Sequence, residues 1–419
     1  MPAPAPPLER SDESASLFSG RSYVLFLASR FFGTLATGSQ AVVIAWEVYA
    51  VARQTMSVAE AAFAVGMIGL AQFLPLFALT LLAGEAADRY DRRRILTLCY
   101  LTQLITSVGL ATQASLGSRL WPIFALAALF GASRAFFQPT ASALGPMLVP
   151  LSLLPRAIAT NSLAAQLANI AGPALGGLLC VVSPVLGFAV SACLYAAAMT
   201  CASLIRGDTQ PKVDGGRSRV EQIREGLSYV WQNKLVLGAI SLDLFAVLLG
   251  GATGLLPVFA RDVLQVGPQG FGLLRACPAM GALIVAAYLA RRPIRSLAGV
   301  KMLAAVGLFG LMTLVFAYSR YVPLSMFALA VLGGADMVSV FIRQSLIQIA
   351  TPDRMRGRVS AVATLFIGAS NELGEFESGV TARWLGPVTA VAFGGAGAMG
   401  VTALWAWLFP RLRSADRLV

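Results

Sequence analysis

Histidine is absent from the 419-residue chain. Without imidazole there is no His-based zinc site, no Ser-His-acid triad and no imidazole proton relay. Most hydrolase chemistry drops out with it. Charge is scarce as well, Asp, Glu, Lys and Arg making up 12% of the residues. The five cysteines, Cys99, Cys180, Cys193, Cys201 and Cys277, form no CxxC pair and all fall within apolar stretches. They read as small buried hydrophobes and give no metal cluster or disulfide framework. None of Lys212, Lys234 and Lys301 sits in GxxxxGK[ST], so the phosphate loop of an ATP-driven pump is missing. No metal, no cofactor and no enzyme activity are expected.

What the chain does have is hydrophobicity: 57% AVILMFWYC and a mean hydropathy of +0.73. That is too apolar for the surface of a soluble globule and suits a lipid bilayer. Apolar blocks run at 22–50, 57–83, 94–115, 120–149, 157–181 and 184–205. They resume at 235–259, 270–290, 300–318, 322–350, 359–382 and 386–409. At about 20 residues per crossing these are twelve spans, and in lipid they satisfy their backbone groups only as helices. The expected organisation is a disordered cytoplasmic tail (1–20), a six-helix bundle (21–205), a cytoplasmic linker (206–234), a second six-helix bundle (235–410) and a short cytoplasmic tail (411–419).

Of the 32 Lys and Arg, 23 lie on the side of the termini, five on the other side and four inside blocks. The positive-inside rule places both termini in the cytoplasm. The net charge of +12 is then a matter of topology, and no nucleic-acid partner is implied. In the linker, Val220, Ile223, Leu227, Val230 and Trp231 recur at helical spacing opposite Glu221, Arg224 and Glu225. This pattern predicts an amphipathic helix on the membrane surface. The halves also repeat: at an offset of 202, Pro150–Arg156 matches Pro352–Arg358. Paired six-helix units are the design of alternating-access transporters, which bind substrate at midplane between the halves.

The loop after the second block reads Gly84-Glu85-Ala86-Ala87-Asp88-Arg89-Tyr90-Asp91-Arg92-Arg93-Arg94. It resembles the G-x-L-x-D-R-x-G-R-R signature of the major facilitator superfamily, with Ala86 in place of Leu and Asp91 in place of the turn glycine. Gly84 lets helices approach, and Asp88 with Arg89, Arg92 and Arg93 can lock a cytoplasmic gate. Asp91 tolerates the left-handed region better than most residues. In the fifth block, Gly172-Pro173-Ala174-Leu175-Gly176-Gly177 looks like the G-P-x-x-G-G motif of that superfamily's exporters. Gly172, Gly176 and Gly177 strip a helix face for close packing, and Pro173 bends the segment. The longer phrases RQSLIQIATPDRMRGRVSAV and SNELGEFESG are similar to the branch that holds enterobactin and macrolide exporters. This resemblance implies an all-α fold of twelve transmembrane helices in two pseudo-symmetric six-helix bundles. It also implies export driven by the proton gradient, from a bacterial-type inner membrane.

Ionisable residues inside apolar blocks are the functional candidates, because each is costly in lipid unless it faces a partner or water. In the first block these are Arg30 and, on a second face, Thr37 and Gln40. In the fourth, Arg134, Gln138 and Ser142 form one stripe at i, i+4 and i+8, read as cavity wall. Arg134 either takes part in proton transfer or serves as a structural partner. The seventh block holds Asp243, and the tenth Asp336 and Arg343, each needing a partner on another helix; Asp336 and Arg343, like Arg30 and Asn371, are read as lining the substrate cavity. The eleventh carries Asn371, Glu372, Glu375 and Glu377. Two acids at i+3 cannot both ionise cheaply, which makes Glu372 and Glu375 the first choice for proton coupling and Asp243 the second. The alternative is that these acids neutralise Arg134, Arg275 and Arg343 as fixed pairs. The reading is a monomeric secondary transporter with protons, lipid and a small amphipathic substrate, a siderophore or drug-like compound, as partners. A nutrient importer of the same fold and a non-transporting membrane receptor are the rivals.

Overall fold

The structure is a computed structural model describing residues 20–117, 119–207, 209–210, 219–292, 294 and 296–415. The expected N-terminal tail, Gly20 apart, and the last four residues of the C-terminal tail lie outside the described residues. Six helices precede the linker: α1 (Arg21–Ala52), α2 (Val58–Arg89), α3 (Arg92–Leu116), α4 (Leu120–Leu144), α5 (Leu154–Val182) and α6 (Pro184–Ser203). The linker carries α7 (Arg219–Gln232). After it come α8 (Lys234–Leu249), α9 (Leu256–Val258), α10 (Gly267–Arg291), α11 (Ala298–Tyr318), α12 (Val322–Ala350), α13 (Asp353–Leu385), α14 (Pro387–Leu408) and α15 (Pro410–Arg413). No strand occurs among the described residues.

Local chemistry explains the short connections. Ser57 and Glu60 form a reciprocal capping box at the start of α2, satisfying two orphan N–H groups. Ser183 caps α6 by accepting from the Leu186 N–H, with Pro184 in the first turn, where its missing N–H costs nothing. Asn233 accepts from Leu235 and Val236 to start α8 directly after α7.

Two blocks differ from a simple apolar helix. The seventh, read as one span at 235–259, breaks after Leu249 at Gly250-Gly251. It continues as a 3-10 turn (Ala252–Leu255), the short α9 and a π-helical turn (Phe259–Val263). Three glycines within five residues, followed by Pro257, remove the helix preference there. Among the described residues eleven helices are long and apolar enough to cross a membrane. The remaining long one is α13, whose 33 residues include eight that are ionisable. It completes the twelve spans of the fold at the lowest hydropathy.

Within the first half α1 packs on α5 and α6, α2 on α4, and α3 on α6. Within the second, α10 packs on α12 and α11 on α12 and α14. The halves meet along α2 with α13 and α5 with α10. Each crossing is built on a glycine pair. A methyl added at Gly66 would lie 2.8 Å from the Gly379 Cα, and one at Gly177 would lie 2.6 Å from the Gly272 Cα. Gly177 and Gly379 stand at the repeat offset of 202, so the two crossings are related by the internal symmetry.

The two ends of the bundle are unlike. At the end of the short hairpins, one apolar cluster runs through both halves, from Val42, Tyr49, Val65 and Phe188 to Phe259, Phe271, Phe316 and Val391. At the linker end each half has its own cluster: Tyr23, Leu96, Tyr100 and Tyr195 in the first, and Met302, Ile342, Leu346 and Leu412 in the second. The helix α7 belongs to the second half, with Val230 buried against Val359 and Val362 and Glu225 paired with Arg358. Leu227 and Trp231 stay exposed, as expected for an apolar edge turned to the membrane surface.

The tight crossing makes a simple prediction. Gly379→Leu inserts a side chain where backbone already touches, and overpacking of this kind costs about 1–3 kcal/mol. Gly400→Leu enters a site with nothing within 4 Å and should be silent. Thermal unfolding of the detergent-solubilised protein checks this, and equal melting of the two variants would contradict the crossing.

Candidate functional site

Between the halves lies a cavity of about 550 Å³, within the range of drug-sized ligand sites. The first half lines it with Thr37, Gln40, Gln72, Phe130, Arg134 and Asn169. The second half contributes Arg275, Phe309, Asp336, Asn371, Glu372 and Glu375. Helical periodicity explains this convergence: Thr37, Gln40 and Ile44 lie on one face of α1 at i, i+3 and i+7, and Glu372 and Glu375 share a face of α13.

Several of the polar wall residues are fixed by neighbours. Thr37 Oγ1 bonds the Tyr195 hydroxyl at 3.1 Å, and Gln40 accepts from Ser107. Asn371 donates to the Ile367 carbonyl at 3.0 Å. Arg134 donates to Gln72 Oε1 at 3.1 Å and to Glu372 Oε1 at 2.5 Å. Since α4 belongs to the first half and α13 to the second, this ion pair ties the halves at the cavity. Arg275 reaches Glu375 Oε1 at 3.2 Å and also donates to the Thr253 carbonyl at 2.8 Å. That carbonyl lies in the 3-10 turn that follows the break after α8.

Asp243 and Arg343 do not line this cavity. They form an ion pair, both nearly fully buried, inside the second half between α8 and α12. The Arg343 Nε has no hydrogen-bond partner, so the attraction of Asp243 is what holds the guanidinium. Asp336 faces the cavity and also a crevice of only about 10 Å³ that it shares with Asp243, Phe309 and Ser339. It forms no hydrogen bond or ion pair with any described residue.

Besides Arg343, three more expected wall residues lie elsewhere. Arg30 sits below the cavity with its guanidinium 5.3 Å from the Phe137 ring centre, a cation–π contact. Gln138 and Ser142 share Arg134's helical face but are exposed and do not line the cavity. They lie farther along α4 toward the linker end, where each half keeps its own core. Conversely Gln72, Asn169 and Arg275 line the cavity without having been singled out for it. The available signal was a lone amide or guanidinium in an apolar run, as with Gln72 in α2.

In the loop between α2 and α3 the local contacts centre on Asp91. Asp91 has φ −56°, not the left-handed conformation that a glycine substitute suggested. It caps α3 by accepting from the Arg93 N–H, and it accepts from Thr209 at 2.6 Å. Partial burial pushes its carboxyl up, but these hydrogen bonds and the Arg93 guanidinium together hold it below the usual aspartate value. Arg93 donates to the Ile205 carbonyl and Arg92 to that of Ala87, while Arg89 pairs with Glu85 on the surface. Gly84 is buried and Asp88 exposed at the end of α2. In α5, Gly172 and Gly176 pack against α1 at Leu35 and Ser39, Pro173 lines the cavity, and Gly177 meets Gly272 of the other half.

The hairpin end is closed by polar contacts too. Asp262, in the π-helical turn, accepts from the Tyr49 hydroxyl and lies 3.6 Å from Arg53, both in the other half. Arg383 of α13 stands 5.0 Å from the ring centre of Phe63 in α2.

The Asp243–Arg343 pair yields a stability prediction. Asp243→Asn leaves a buried cation alone, at a cost of about 3–5 kcal/mol. The double variant Asp243→Leu with Arg343→Met removes both charges and should recover most of it. Melting temperatures of the three proteins decide the matter, and a double variant as unstable as the single one would argue against an energetically coupled pair.

The sequence profile of the family described as transmembrane secretion effector matches residues 18–418. The enterobactin exporter EntS of Escherichia coli O81 (strain ED1a) is 26% identical over 400 residues, covering 93% of this chain and 92% of its own. The multidrug efflux pump Tap of Mycobacterium tuberculosis (strain ATCC 25618 / H37Rv) is 28% identical over 320 residues, covering 74% and 76% respectively. Among solved structures, a D-xylose-proton symporter aligns with a TM-score of 0.71 at 13% identity, over 94% of this chain and 98% of that one. A bacterial homologue of the iron transporter ferroportin aligns at 0.68 and 16% identity, over 96% and 100%. At such identities the structural likeness speaks for the fold alone. The sequence profile spans nearly all of the chain, and with it this protein belongs to the transmembrane secretion effector family of the major facilitator superfamily, as a multi-pass membrane transporter.

Proposed function

We propose that this transporter is a proton-coupled exporter of an amphipathic small molecule, a siderophore or a drug-like compound, working by alternating access in a bacterial inner membrane with both termini in the cytoplasm. One observation carries the mechanism: the cavity lies between two halves that share a core at the hairpin end and keep separate cores at the linker end. With the linker in the cytoplasm, this is an inward-open state ready to load substrate from inside. The relatives support the direction, one named as an exporter and the other as an efflux pump.

Alternating access then requires the hairpin-end contacts of Asp262 with Tyr49 and Arg53 to open while the linker end closes. The loop holding Asp88, Arg89, Arg92 and Arg93 forms that inner gate, and the glycines of α5 let the halves rock on each other. Coupling falls to Glu372 and Glu375, with Asp243 behind them. A proton on Glu372 cancels its attraction for Arg134, which weakens the ion pair between the halves at the cavity.

Glu372→Gln fixes the neutral form at nearly constant volume. Arg134 keeps Gln72 as a partner and faces an open cavity, so the fold should survive. In proteoliposomes the variant should exchange substrate at a rate within about twofold of the parent, yet lose tenfold or more of its pH-gradient-driven accumulation. Undiminished accumulation in both Glu372→Gln and Glu375→Gln would remove α13 from coupling. Orientation is checked separately: single cysteines replacing Arg92 should be labelled from the cytoplasm, and those replacing Arg119 or Arg320 from outside. The opposite pattern would invert the proposed direction.

A further inference from the structure

The charged residues lining the cavity are Arg134, Arg275, Asp336, Glu372 and Glu375. Both arginines are consumed by the two glutamates, through Arg134–Glu372 and Arg275–Glu375. Asp336 is left over, with no ion pair or hydrogen bond to a described residue. The cavity wall therefore carries one unbalanced carboxyl group, in a site whose other walls include Phe130, Phe309, Leu332 and Ile44.

A carboxylate in such surroundings has two ways to lower its energy, which are to take up a proton or to gain a cationic partner. Among the described residues no cation pairs with it. The charged groups around Asp336 are Asp243 from α8, Arg275 from α10, Glu372 and Glu375 from α13, and Arg343 about two helical turns along α12. Each of these two arginines already has its own acid. The helix α11 faces the site with Phe309 and Val306, neither of them ionisable. The partner must come from outside.

We infer that Asp336 is the counter-ion for a positively charged group on the substrate, which is therefore an amphipathic monocation, and that this group and a proton compete for the same carboxylate. The inference rests on the exporter reading above and selects within it: a cationic drug-like molecule gains a counter-ion at the wall, whereas an anionic siderophore gains none from this carboxyl group and is repelled by it once ionised. When the cation binds from the linker side, the Asp336 O–H bond breaks, its proton leaves to water and the carboxylate pairs with the cation. When a proton arrives from the opposite side, the carboxyl group re-forms and the cation is released. The aromatic rings of Phe130 and Phe309 add cation–π and apolar contact.

The test uses two probes of nearly equal shape and opposite charge, tetraphenylphosphonium and tetraphenylborate, with the purified full-length protein. Tetraphenylphosphonium should bind at least tenfold more tightly than the borate, release about one proton per cation in weak buffer, and bind more weakly as pH falls. Asp336→Asn should lose at least tenfold in phosphonium affinity together with the pH dependence, and Asp336→Glu should keep both. The Asn variant has no protein partner to lose, and its unchanged melting temperature would separate lost binding from lost fold. Equal affinity for the two probes, or an Asn variant that binds like the parent, would overturn the assignment. A parent protein that accumulates an anionic catecholate under a pH gradient, and ignores phosphonium, would overturn it while leaving proton-driven export standing. Phosphonium binding that depends on Asp336 in a protein showing no gradient-driven transport would support the assignment and refute the coupling reading.

Discussion

A charge in the interior of a bilayer needs an opposite charge or water beside it, and the arrangement of the helices follows from that requirement. Arg134, Arg275 and Arg343 stand on three different helices, and each meets a carboxylate on yet another: Glu372, Glu375 and Asp243. Breaking such a pair on one side is far more costly than replacing both members by apolar residues. The pairs therefore specify which helices adjoin and at what depth. The cost appears in α13, which supplies two of the three acids and is the long helix whose hydropathy falls below that of an ordinary span. Glu372 and Glu375 face the cavity and the arginines, while Glu377 accepts from Thr381 on another face of the helix.

The glycine crossings do the complementary work. Charge pairing at the cavity holds the halves at one depth, while Gly66 with Gly379 and Gly177 with Gly272 bring their backbones into contact toward the hairpin end. Lipid gives no hydrophobic drive for helices to associate, so close van der Waals packing at small residues carries the association. Such a contact is smooth, with no interlocked side chains to disengage. Helices that meet this way can rotate over one another, whereas a core of interdigitated Leu and Phe resists it. The transition to the opposite state must still part the apolar cluster that now spans both halves.

Much of the architecture was legible because the bilayer narrows the options. Twelve apolar blocks, a charge bias across them and an offset of 202 between halves correspond to spans and repeats directly. The pairing of individual charges was not legible. Arg134 needed an acid, but periodicity along α4 gives a face and not the identity of the residue opposite, and Glu372 lies 238 positions away. The stripe from Arg134 through Gln138 to Ser142 was read as cavity wall along its whole length. A single helix does not reveal at which level its partner half draws apart, and only Arg134 lies at the level of the cavity. Asp91 was similarly misjudged as a stand-in for glycine, because the N-cap role depends on where α3 begins and on Thr209 from a distant segment.

The break after α8 shows how far one local irregularity shapes the site. Unsatisfied backbone at membrane depth is tolerated only where protein or a water-filled cavity can satisfy it. Here Gly250, Gly251 and Thr253 line the cavity, and Arg275 donates to the Thr253 carbonyl while also holding Glu375. Glu375 in turn lies against Gly254, where a methyl group would stand 3.2 Å from its Cα. The guanidinium thus joins a broken helix to α13, and its commitment to Glu375 and to that carbonyl leaves it unavailable to Asp336. The second half holds four cavity-facing or cavity-adjacent acids, Asp243, Asp336, Glu372 and Glu375, while the first half contributes Arg134 as its one charged wall residue. The acids are thereby concentrated in the half that contains the broken helix. The first half is left as a nearly uncharged wall, tied to those acids through Arg134, so that on the proposed coupling a proton on Glu372 would change how the two halves hold together.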